Sequence, residues 1–279
     1  MENNTEKMTE PILAVISGFL GAGKTTLSTN LIAHLWERDV NAALITNDQS
    51  SGLVDSELAS AGGVNVKEIS GGCFCCRCDE FALALDEIIA LRQADIIIAE
   101  AVGSCTDLVA TVVEPLRIDL MRPYRVLPMI VVVDPVRAEA VLYDSQLPIA
   151  DSRGTALLHD DVTYIFLKQL EEAQVILVNK ADEMDPDRME AITAVVAARF
   201  PEADVRGFSA KHAGDIERLW EYLQATESRH RPIQEIDYAR YAKGEAMLGW
   251  LNAECRLVEE SGTGVPPNTV HLALYAPAF

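Results

Sequence analysis

Short apolar runs alternate along the chain with longer amphipathic segments. Most of the short runs are rich in β-branched residues and continuously apolar, which is typical of parallel strands covered by helices on both faces. The longer segments repeat their apolar residues at helical spacing. The pattern predicts strands at 12–17, 42–47, 64–69, 95–100, 126–134, 174–179 and 203–209, and helices at about 24–37, 79–92, 106–116, 135–143, 159–173, 187–200 and 214–226. This order predicts an α/β fold with a doubly wound, mostly parallel sheet.

The alternation defines the predicted domain organisation. It spans 12–226, which we expect to form one domain after a polar, flexible N-terminus at 1–11. A charged, proline-containing stretch at 227–240 is predicted to be a linker, and 241–279 is predicted to form a short β-rich appendage. Its two strand-like runs, 249–259 and 269–276, are joined by a glycine- and proline-rich turn and predict a β-hairpin. So short an appendage cannot sustain its own core, so we expect it to pack on the main domain or on a partner.

Composition and charge exclude several classes of function. The 279 residues are 49% hydrophobic, enough for a large buried core, and 43 acidic against 23 basic residues give a formal net charge of −20. Such a charge repels phosphate backbones and anionic lipid, so no nucleic acid and no membrane partner is expected. The polar start lacks the apolar region of a signal peptide, and no apolar run approaches the roughly 20 residues of a membrane span. The expectation is a soluble cytoplasmic protein.

An intact phosphate-binding pattern follows the first predicted strand directly. Residues 18–26 read GFLGAGKTT, which matches Gly-x-x-x-x-Gly-Lys-Thr and leads into a predicted helix. Glycines let successive backbone N–H groups point into one cavity, and the helix N-terminus favours an anion there. We expect Lys24 to reach the β- and γ-phosphates and the Thr25 hydroxyl to bind Mg²⁺. The predicted phosphate-binding residues of this P-loop are Gly18, Gly21, Ala22, Gly23, Lys24, Thr25 and Thr26.

Two later motifs indicate which base the nucleotide carries. NKAD at 179–182 follows an apolar strand, where the carboxyl ends of parallel strands form a ligand-binding crevice. A carboxylate there can accept hydrogen bonds from guanine N1–H and the exocyclic amine, whereas adenine has no such pair of donors. SAK at 209–211 ends the next strand and would support the guanine loop. The predicted base-binding residues are Asn179, Lys180, Asp182, Ser209, Ala210 and Lys211.

Acidic residues end two further strands on the phosphate side of the predicted sheet. Asp48 follows the second strand and Glu100 ends the fourth. Phosphoryl transfer requires a metal held by hard oxygen ligands and a positioned water, so both carboxylates are candidates for Mg²⁺ binding and, with Lys24, for catalysis. The alternative roles are helix capping and loop solvation. Their shared position at the crevice favours the functional role.

Four cysteines fall within six positions of the segment GGCFCCRCDE at 71–80. A disulfide knot, a metal-thiolate site and a buried turn are the three explanations, and a reducing cytosol disfavours the first. Soft thiolates suit Zn²⁺ and Cu⁺ and, less selectively, Co²⁺ or Ni²⁺. Cys73, Cys75 and Cys76 are the predicted transition-metal ligands, with Cys78 as a further candidate, and a second copy in a homodimer or solvent would complete the shell. Cys105 is expected to be a buried packing residue.

Together these motifs resemble the metal-center GTPases that include the CobW-type proteins, UreG and HypB. The resemblance runs in collinear order over 12–226, and the Cys-x-Cys-Cys pattern points to the CobW-type branch. It is carried by GFLGAGKTTL (18–27), Asp48, GGCFCC (71–76), EAVG (100–103) and NKAD (179–182). The resemblance implies hydrolysis of GTP to GDP with Mg²⁺, coupled to delivery of Zn²⁺, Co²⁺, Ni²⁺ or a metal-containing cofactor. The recipient would be a client metalloenzyme or a corrinoid protein.

The chain departs from the CobW-type pattern in three places. It has NDQSS at 47–51, an additional thiol at Cys78 and a short C-terminal region. No residue near the P-loop is an obvious arginine finger, so slow turnover by the isolated protein is expected. Two other functions share the P-loop: a small-molecule kinase, which would not need NKAD or the thiols, and a non-catalytic metal buffer that responds to nucleotide.

Overall fold

The structure is a computed structural model and describes residues 11–48, 65–70, 74, 77–90, 94–118, 124–143 and 159–248. These residues belong to one compact unit that ends at Leu248. The predicted hairpin runs at 249–259 and 269–276 lie outside the described residues, as do Cys73, Cys75 and Cys76.

Eight strands form a single sheet in the described part of the chain, and every pair that hydrogen-bonds is parallel. The order across the sheet is β3-β2-β4-β1-β6-β7-β8, with β5 paired to β1 beside β6. The strands are β1 (Ile12–Gly18), β2 (Ala42–Asp48), β3 (Asn65–Ser70), β4 (Ile96–Glu100), β5 (Arg125–Val126), β6 (Ile130–Val133), β7 (Val175–Val178) and β8 (Asp204–Gly207). The predicted α/β class with a mostly parallel sheet is confirmed.

Helices cover both faces of the sheet. They are α1 (Lys24–Trp36), α2 (Cys78–Ala90), α3 (Glu114–Ile118, preceded by a π-helical turn at Val109–Val113), α4 (Pro135–Tyr143), α5 (Asp160–Glu172), α6 (Pro186–Arg199), α7 (Ala213–Ala225) and α8 (Tyr238–Met247). None of the described helices is long and apolar enough to cross a bilayer.

Two separate apolar layers explain why the strands are continuously hydrophobic. Leu13 and Val15 of β1 pack into a layer with α2 to α6, while Ala14 and Ile16 pack into a layer with α1 and α7. Successive side chains of a strand point to opposite faces, so both sets of positions must be apolar when both faces are covered. A fully buried aliphatic side chain contributes about 1.5–3 kcal/mol, so this two-sided burial dominates the stability of the sheet.

The predicted strand at 126–134 is interrupted, and the predicted helix at 106–116 begins late. Pro128 has no N–H for a ladder. The neighbouring backbone N–H of Met129 instead donates to the side-chain carbonyl of Gln174 at 3.0 Å. The helix is delayed because Asp107 takes a left-handed φ of 65°, and the first turn that follows is π-helical.

Helix α8 is an element that the sequence pattern did not predict. It covers the end of the proposed 227–240 linker and the first residues of the proposed 241–279 appendage, ahead of the predicted strand runs. Asp237 caps it by accepting the backbone N–H groups of Ala239 and Arg240 at 3.1 Å. The Arg240 guanidinium also binds Asp161 of α5 at 3.0 Å, so α8 packs on the main domain.

The parallel arrangement brings the carboxyl ends of the strands to one edge of the sheet. β1 lies at the centre, with β4, β2 and β3 on one side and β6, β7 and β8 on the other, and the chain crosses from the first side to the second after β4. Such a reversal of strand order opens a crevice beyond the strand ends. The P-loop, Glu100 and the NKAD and SAK motifs all meet this edge.

Candidate nucleotide-binding site

The P-loop joins β1 to α1 through a tight turn. Gly18, Gly21 and Gly23 all have positive φ, and the space beside the Gly23 α-carbon is filled by the Asn179 side chain. A residue with a β-carbon at position 23 would collide with that amide. No side chain caps α1 and its first turn holds no acid, so the positive end of the helix dipole faces the loop and favours an anion there.

Lys24 and Thr25, the first two residues of α1, place a cation and a hydroxyl at the mouth of this loop. The Lys24 side chain is buried, and its Nζ lies 3.3 Å from the Phe19 carbonyl oxygen. The hydroxyl of Thr25 donates to Oε1 of Glu100 at 2.6 Å, and that of Ser28 donates to Oε2 at 2.8 Å. Ser28 was not predicted, because a serine inside a helix carries no signal by itself.

The oxygen set around Glu100 fits magnesium. The Thr25 hydroxyl and the buried Glu100 carboxylate are hard ligands, which Mg²⁺ prefers. Asp48 is the last residue of β2, and in the ladder between β2 and β4 Thr46 stands opposite Glu100. Asp48 and Glu100 therefore end neighbouring strands at the same edge; the Asp48 side chain lies outside the described atoms.

The side chain of Asn179 connects the P-loop to the SAK segment. Its Nδ2 donates to the Ala22 carbonyl at 2.8 Å, and its Oδ1 accepts the backbone N–H of Ala210 at 2.9 Å. Asn30 of α1 adds a second connection by donating to the Ala210 carbonyl at 2.8 Å. The phosphate-side loop and the base-side loops thus form one continuous hydrogen-bonded unit.

Asp182 presents an exposed carboxylate beside this unit. The Ser209 hydroxyl donates to Oδ1 at 2.6 Å, and Lys211 lies 3.7 Å from Oδ2. The Ser209 hydrogen bond, more than the nearby Lys211 charge, holds the pKa of Asp182 below its usual value. The carboxylate is therefore ionised at neutral pH and accepts hydrogen bonds, which suits the two adjacent donors of guanine.

Lys180 is held at the same edge by an ion pair. The residue takes a left-handed φ of 63°, and its Nζ lies 2.6 Å from Oδ2 of Asp134, the residue that follows β6. Lys180 was predicted as a base-binding residue, and its ion pair with Asp134 is a contact that the sequence did not reveal. Asp134 lies in a loop with no motif to distinguish it.

An arginine that the sequence motifs did not single out contacts the P-loop. The Arg137 guanidinium of α4 donates from Nη1 to the Leu20 carbonyl and lies over the Phe19 ring, 5.1 Å from its centroid. Sequence proximity could not identify it, because α4 follows β6 far along the chain. Only the adjacency of β6 to β1 brings the two segments together.

The described part of the cysteine segment consists of Phe74 and the residues from Arg77 onward. Phe74 is fully buried, with its ring centroid 4.6 Å from that of Phe81 in α2. Cys78 is an exposed thiol at the start of α2 and Cys105 is a buried one. Among the residues that the structure describes, no three His, Cys, Asp or Glu side chains are grouped to hold a metal.

Three proteins of similar sequence have names that refer to zinc. The chain is 27% identical to the zinc chaperone CobW of Pseudomonas aeruginosa over 208 residues, covering 68% of this chain and 54% of that protein. It is 27% identical to the zinc-regulated GTPase metalloprotein activator 1 of Dictyostelium discoideum, covering 68% and 44%. It is 29% identical to the zinc chaperone YeiR of Escherichia coli, covering 64% and 49%. The chain thus spans about half the length of these relatives.

Solved structures share the fold at low sequence identity. HypB from Helicobacter pylori in complex with nickel superposes with a TM-score of 0.52 at 18% identity, covering 80% of this chain and 92% of that one. A LAO/AO transport system kinase gives 0.50 at 16% identity, covering 78% and 59%. The family model described as CobW/HypB/UreG, nucleotide-binding domain, matches residues 12–206. The resemblance seen in the sequence motifs is confirmed, and the chain belongs to the CobW/HypB/UreG family through this nucleotide-binding domain.

Proposed function

We propose that this protein hydrolyses GTP and couples its nucleotide state to the delivery of a transition-metal ion. The observation that carries the proposal is the Asn179 side chain, which bonds the P-loop at Ala22 and the SAK segment at Ala210. Because one side chain holds both loops, the phosphate-binding and guanine-binding candidates line a single crevice. A nucleoside triphosphate with a guanine base fits both ends of it.

Guanine selection is assigned to Asp182. Its ionised carboxylate accepts the N1–H and N2–H donors of guanine, and Ser209 fixes its orientation through the 2.6 Å hydrogen bond. Adenine presents an acceptor at N1, so it would leave the carboxylate facing a lone pair. Charge-assisted hydrogen bonds of this kind are worth about 1.5–3 kcal/mol each, which supports a strong preference for GTP over ATP.

The phosphate end is assigned to Lys24, Thr25, Glu100 and the start of α1. Thr25 and Glu100 would hold Mg²⁺, which neutralises charge on the β- and γ-phosphates when bound. Lys24 and the positive N-terminal end of α1 would bind the phosphate oxygens. Asp48 and Glu100 end adjacent strands, which supports assigning them the orientation of the attacking water; the Asp48 side chain lies outside the described atoms.

The metal cargo is assigned to Cys73, Cys75 and Cys76, with Cys78 as a further candidate ligand. Phe74, which lies between two of these cysteines in the sequence, supports this assignment, because its buried ring packs on Phe81 and so attaches this part of the chain to the core. The relatives described as zinc chaperones favour Zn²⁺ over Co²⁺ and Ni²⁺. A homodimer could complete the coordination shell, and the recipient would be a client metalloprotein in the cytoplasm. The net charge of −20 argues against nucleic acid and anionic membrane as partners.

Coupling between the two sites is supported by strand register. β3 leads directly into the cysteine segment, and its last residue, Ser70, pairs with Asp48 at the end of β2. A change at Asp48 on loss of the γ-phosphate would therefore act on β3, the strand that precedes the cysteine segment. Order–disorder changes in loops that contact the γ-phosphate are a common switching device.

The first test measures the hydrolysis of GTP and of ATP, each with and without Zn²⁺, Co²⁺ and Ni²⁺. The second measures the zinc affinity of the protein bound to GDP and of the protein bound to a non-hydrolysable GTP analogue. We expect GTP-specific, slow turnover that responds to zinc, and a zinc affinity that differs between the two nucleotides. The triple variant Cys73→Ser/Cys75→Ser/Cys76→Ser should lose zinc binding, whereas Cys105→Ala, which removes a buried thiol, should retain it. ATP preference or transfer of phosphate to a small acceptor would indicate a kinase, and equal zinc affinity in both states would contradict the coupling.

A further inference from the structure

We propose that Arg137 supplies, from within the same chain, the positive charge that stabilises the phosphoryl group as it is transferred during GTP hydrolysis. The inference rests on the proposed GTPase function and assigns to it a catalytic residue outside the recognised motifs. The sequence by itself pointed to no such arginine.

The position of the guanidinium is the first argument. Nη1 donates to the Leu20 carbonyl, and the two terminal nitrogens lie 3.8 and 4.0 Å from the place where a β-carbon at Gly21 would be. The Lys24 ammonium contacts the carbonyl of Phe19, the residue just before Leu20. Two cations therefore hold adjacent carbonyl groups of the same turn, and the lysine is the one expected at the β- and γ-phosphates.

The absence of a neutralising carboxylate is the second argument. Among the described residues, no acidic side chain forms an ion pair with Arg137 within 4.0 Å, although the chain carries 43 acidic residues. The nearest candidate, Asp134, is otherwise engaged: Oδ2 binds Lys180 at 2.6 Å, and Oδ1 accepts the backbone N–H of Arg137 at 3.0 Å. Burial lowers the pKa of the guanidinium and Asp134 partly offsets this, but an arginine stays charged in proteins.

The setting holds the arginine in place before substrate arrives. Its backbone is fixed in the first turn of α4 by Asp134, and its guanidinium stacks on the buried Phe19 ring. A guanidinium has five N–H donors in a planar fork. Among the described residues, the Leu20 carbonyl is the one acceptor of the guanidinium, through Nη1, and the donors on the other nitrogens can reach phosphate oxygens in the loop.

Arg137 transfers no proton in the chemical step. The oxygen of water bonds to the γ-phosphorus, the bond from that phosphorus to the β–γ bridging oxygen breaks, and GDP leaves with the bond's electron pair. The water proton passes to the released phosphate or to solvent. Negative charge grows on the bridging and γ-oxygens during this exchange, and donors fixed at those oxygens stabilise the transition state more than the bound substrate.

The experiment measures single-turnover GTP hydrolysis, GTP and GDP affinity, and formation of the GDP–aluminium fluoride complex for the full chain and three variants. Arg137→Ala should lower the rate about 100-fold or more while GTP and GDP affinity stay close to wild type. It should also abolish the aluminium fluoride complex, which mimics the planar phosphoryl group. Arg137→Lys should recover part of the rate. The control is Arg188→Ala, which removes an exposed arginine of α6 that pairs with Glu139 of α4, and it should match wild type.

The outcomes separate the inference from the proposed function. If wild type hydrolyses GTP and Arg137→Ala retains its rate and its aluminium fluoride complex, the inference is overturned and the GTPase function stands. A parallel loss of nucleotide affinity and rate, together with a lower melting temperature, would also overturn it, because Arg137 would then only brace the P-loop. If wild type binds GTP with Mg²⁺ but hydrolyses none, with or without zinc, the proposed function itself fails.

Discussion

The side-chain amide of Asn179 occupies the space that a β-carbon at Gly23 would need, so the NKAD motif and the P-loop interlock at this point. The contact is accompanied by the two hydrogen bonds of Asn179 to Ala22 and Ala210. Residues from two separate motifs are thus joined into one structure. The interlock gives Asn179 a role in holding the crevice together that extends beyond the base.

Replacing Asn179 by alanine should therefore weaken both ends of the crevice. The Ala22 carbonyl and the Ala210 N–H would lose their partners in a buried setting, at a cost of about 1–3 kcal/mol for each. We expect lower affinity for GDP and GTP by calorimetry and a lower free energy of unfolding by denaturant titration. Asn41→Ala, at an exposed position, is the control and should change neither quantity. Unchanged GDP affinity in Asn179→Ala would contradict the bracing role.

Asp182→Asn should change which base is bound. The amide retains one acceptor but places a donor where the carboxylate accepted the second hydrogen bond of guanine, so GDP affinity should fall about 100-fold. Xanthine carries a carbonyl at C2 in place of the amine and accepts from that donor, so the diphosphate of xanthosine should gain affinity. Competition binding with the two diphosphates measures both changes. Equal losses for both nucleotides would indicate a structural defect and count against base recognition by Asp182.

The buried carboxyl of Glu172 should make stability depend on pH. It accepts the backbone N–H groups of Asp107, in a short contact, and of Leu108 at 3.0 Å. Burial, more than the nearby Asp107 charge, raises its pKa to about 8, and the N–H groups only partly oppose this. In the unfolded chain the carboxyl ionises near 4.5, so between pH 4.5 and 8 the folded state binds more protons and stability falls as pH rises.

Urea titrations across that window should show the effect. The free energy of unfolding should decrease by up to about 4 kcal/mol from the acid to the alkaline end, once the contribution of the other titrating groups, measured with Glu172→Gln, has been subtracted. Glu172→Gln cannot ionise and should flatten the curve. Glu171→Gln, which removes a neighbouring carboxylate paired with Lys168, should leave the slope in place. Parallel curves for wild type and Glu172→Gln would mean that Glu172 is already ionised in the folded protein.

Two glycine-to-alanine substitutions should have opposite effects on stability. A β-carbon at Gly244 in α8 would lie 2.5 Å from the backbone carbonyl oxygen of Asp161 in α5, so Gly244→Ala must push the two helices apart. We expect it to lower the free energy of unfolding by about 1–3 kcal/mol. At Gly214 in α7 the nearest atoms belong to the exposed, movable side chains of His212 and Arg218.

Gly214→Ala should therefore be neutral or stabilise the protein by up to about 1 kcal/mol, because alanine restricts the unfolded chain and favours helix. Thermal and denaturant unfolding of both variants provide the measurement. A neutral Gly244→Ala would show that α8 does not pack closely on α5.

Much of the fold follows from the order of apolar positions. The strands β1, β2, β4 and β7 begin and end within a residue or two of their predicted bounds, because a strand buried on both faces needs an unbroken apolar run. The placement of the P-loop, Glu100 and NKAD at one edge also follows, because parallel strands share the edge at which their carboxyl ends lie. Helix α8 was missed because its sequence is polar and its stability comes from packing on α5.

The sequence by itself determined the layered parallel sheet, the family and the motif residues at the strand ends, since all of these rest on local patterns. Only the tertiary structure decided which of those motifs touch one another and which residues outside them join the site. Asn179 reaches Ala22, Arg137 reaches Leu20 and Glu172 caps the turn at Leu108 across segments that are distant along the chain. Such contacts depend on how the helices pack against the sheet, and a linear pattern of apolar and polar residues does not encode that packing.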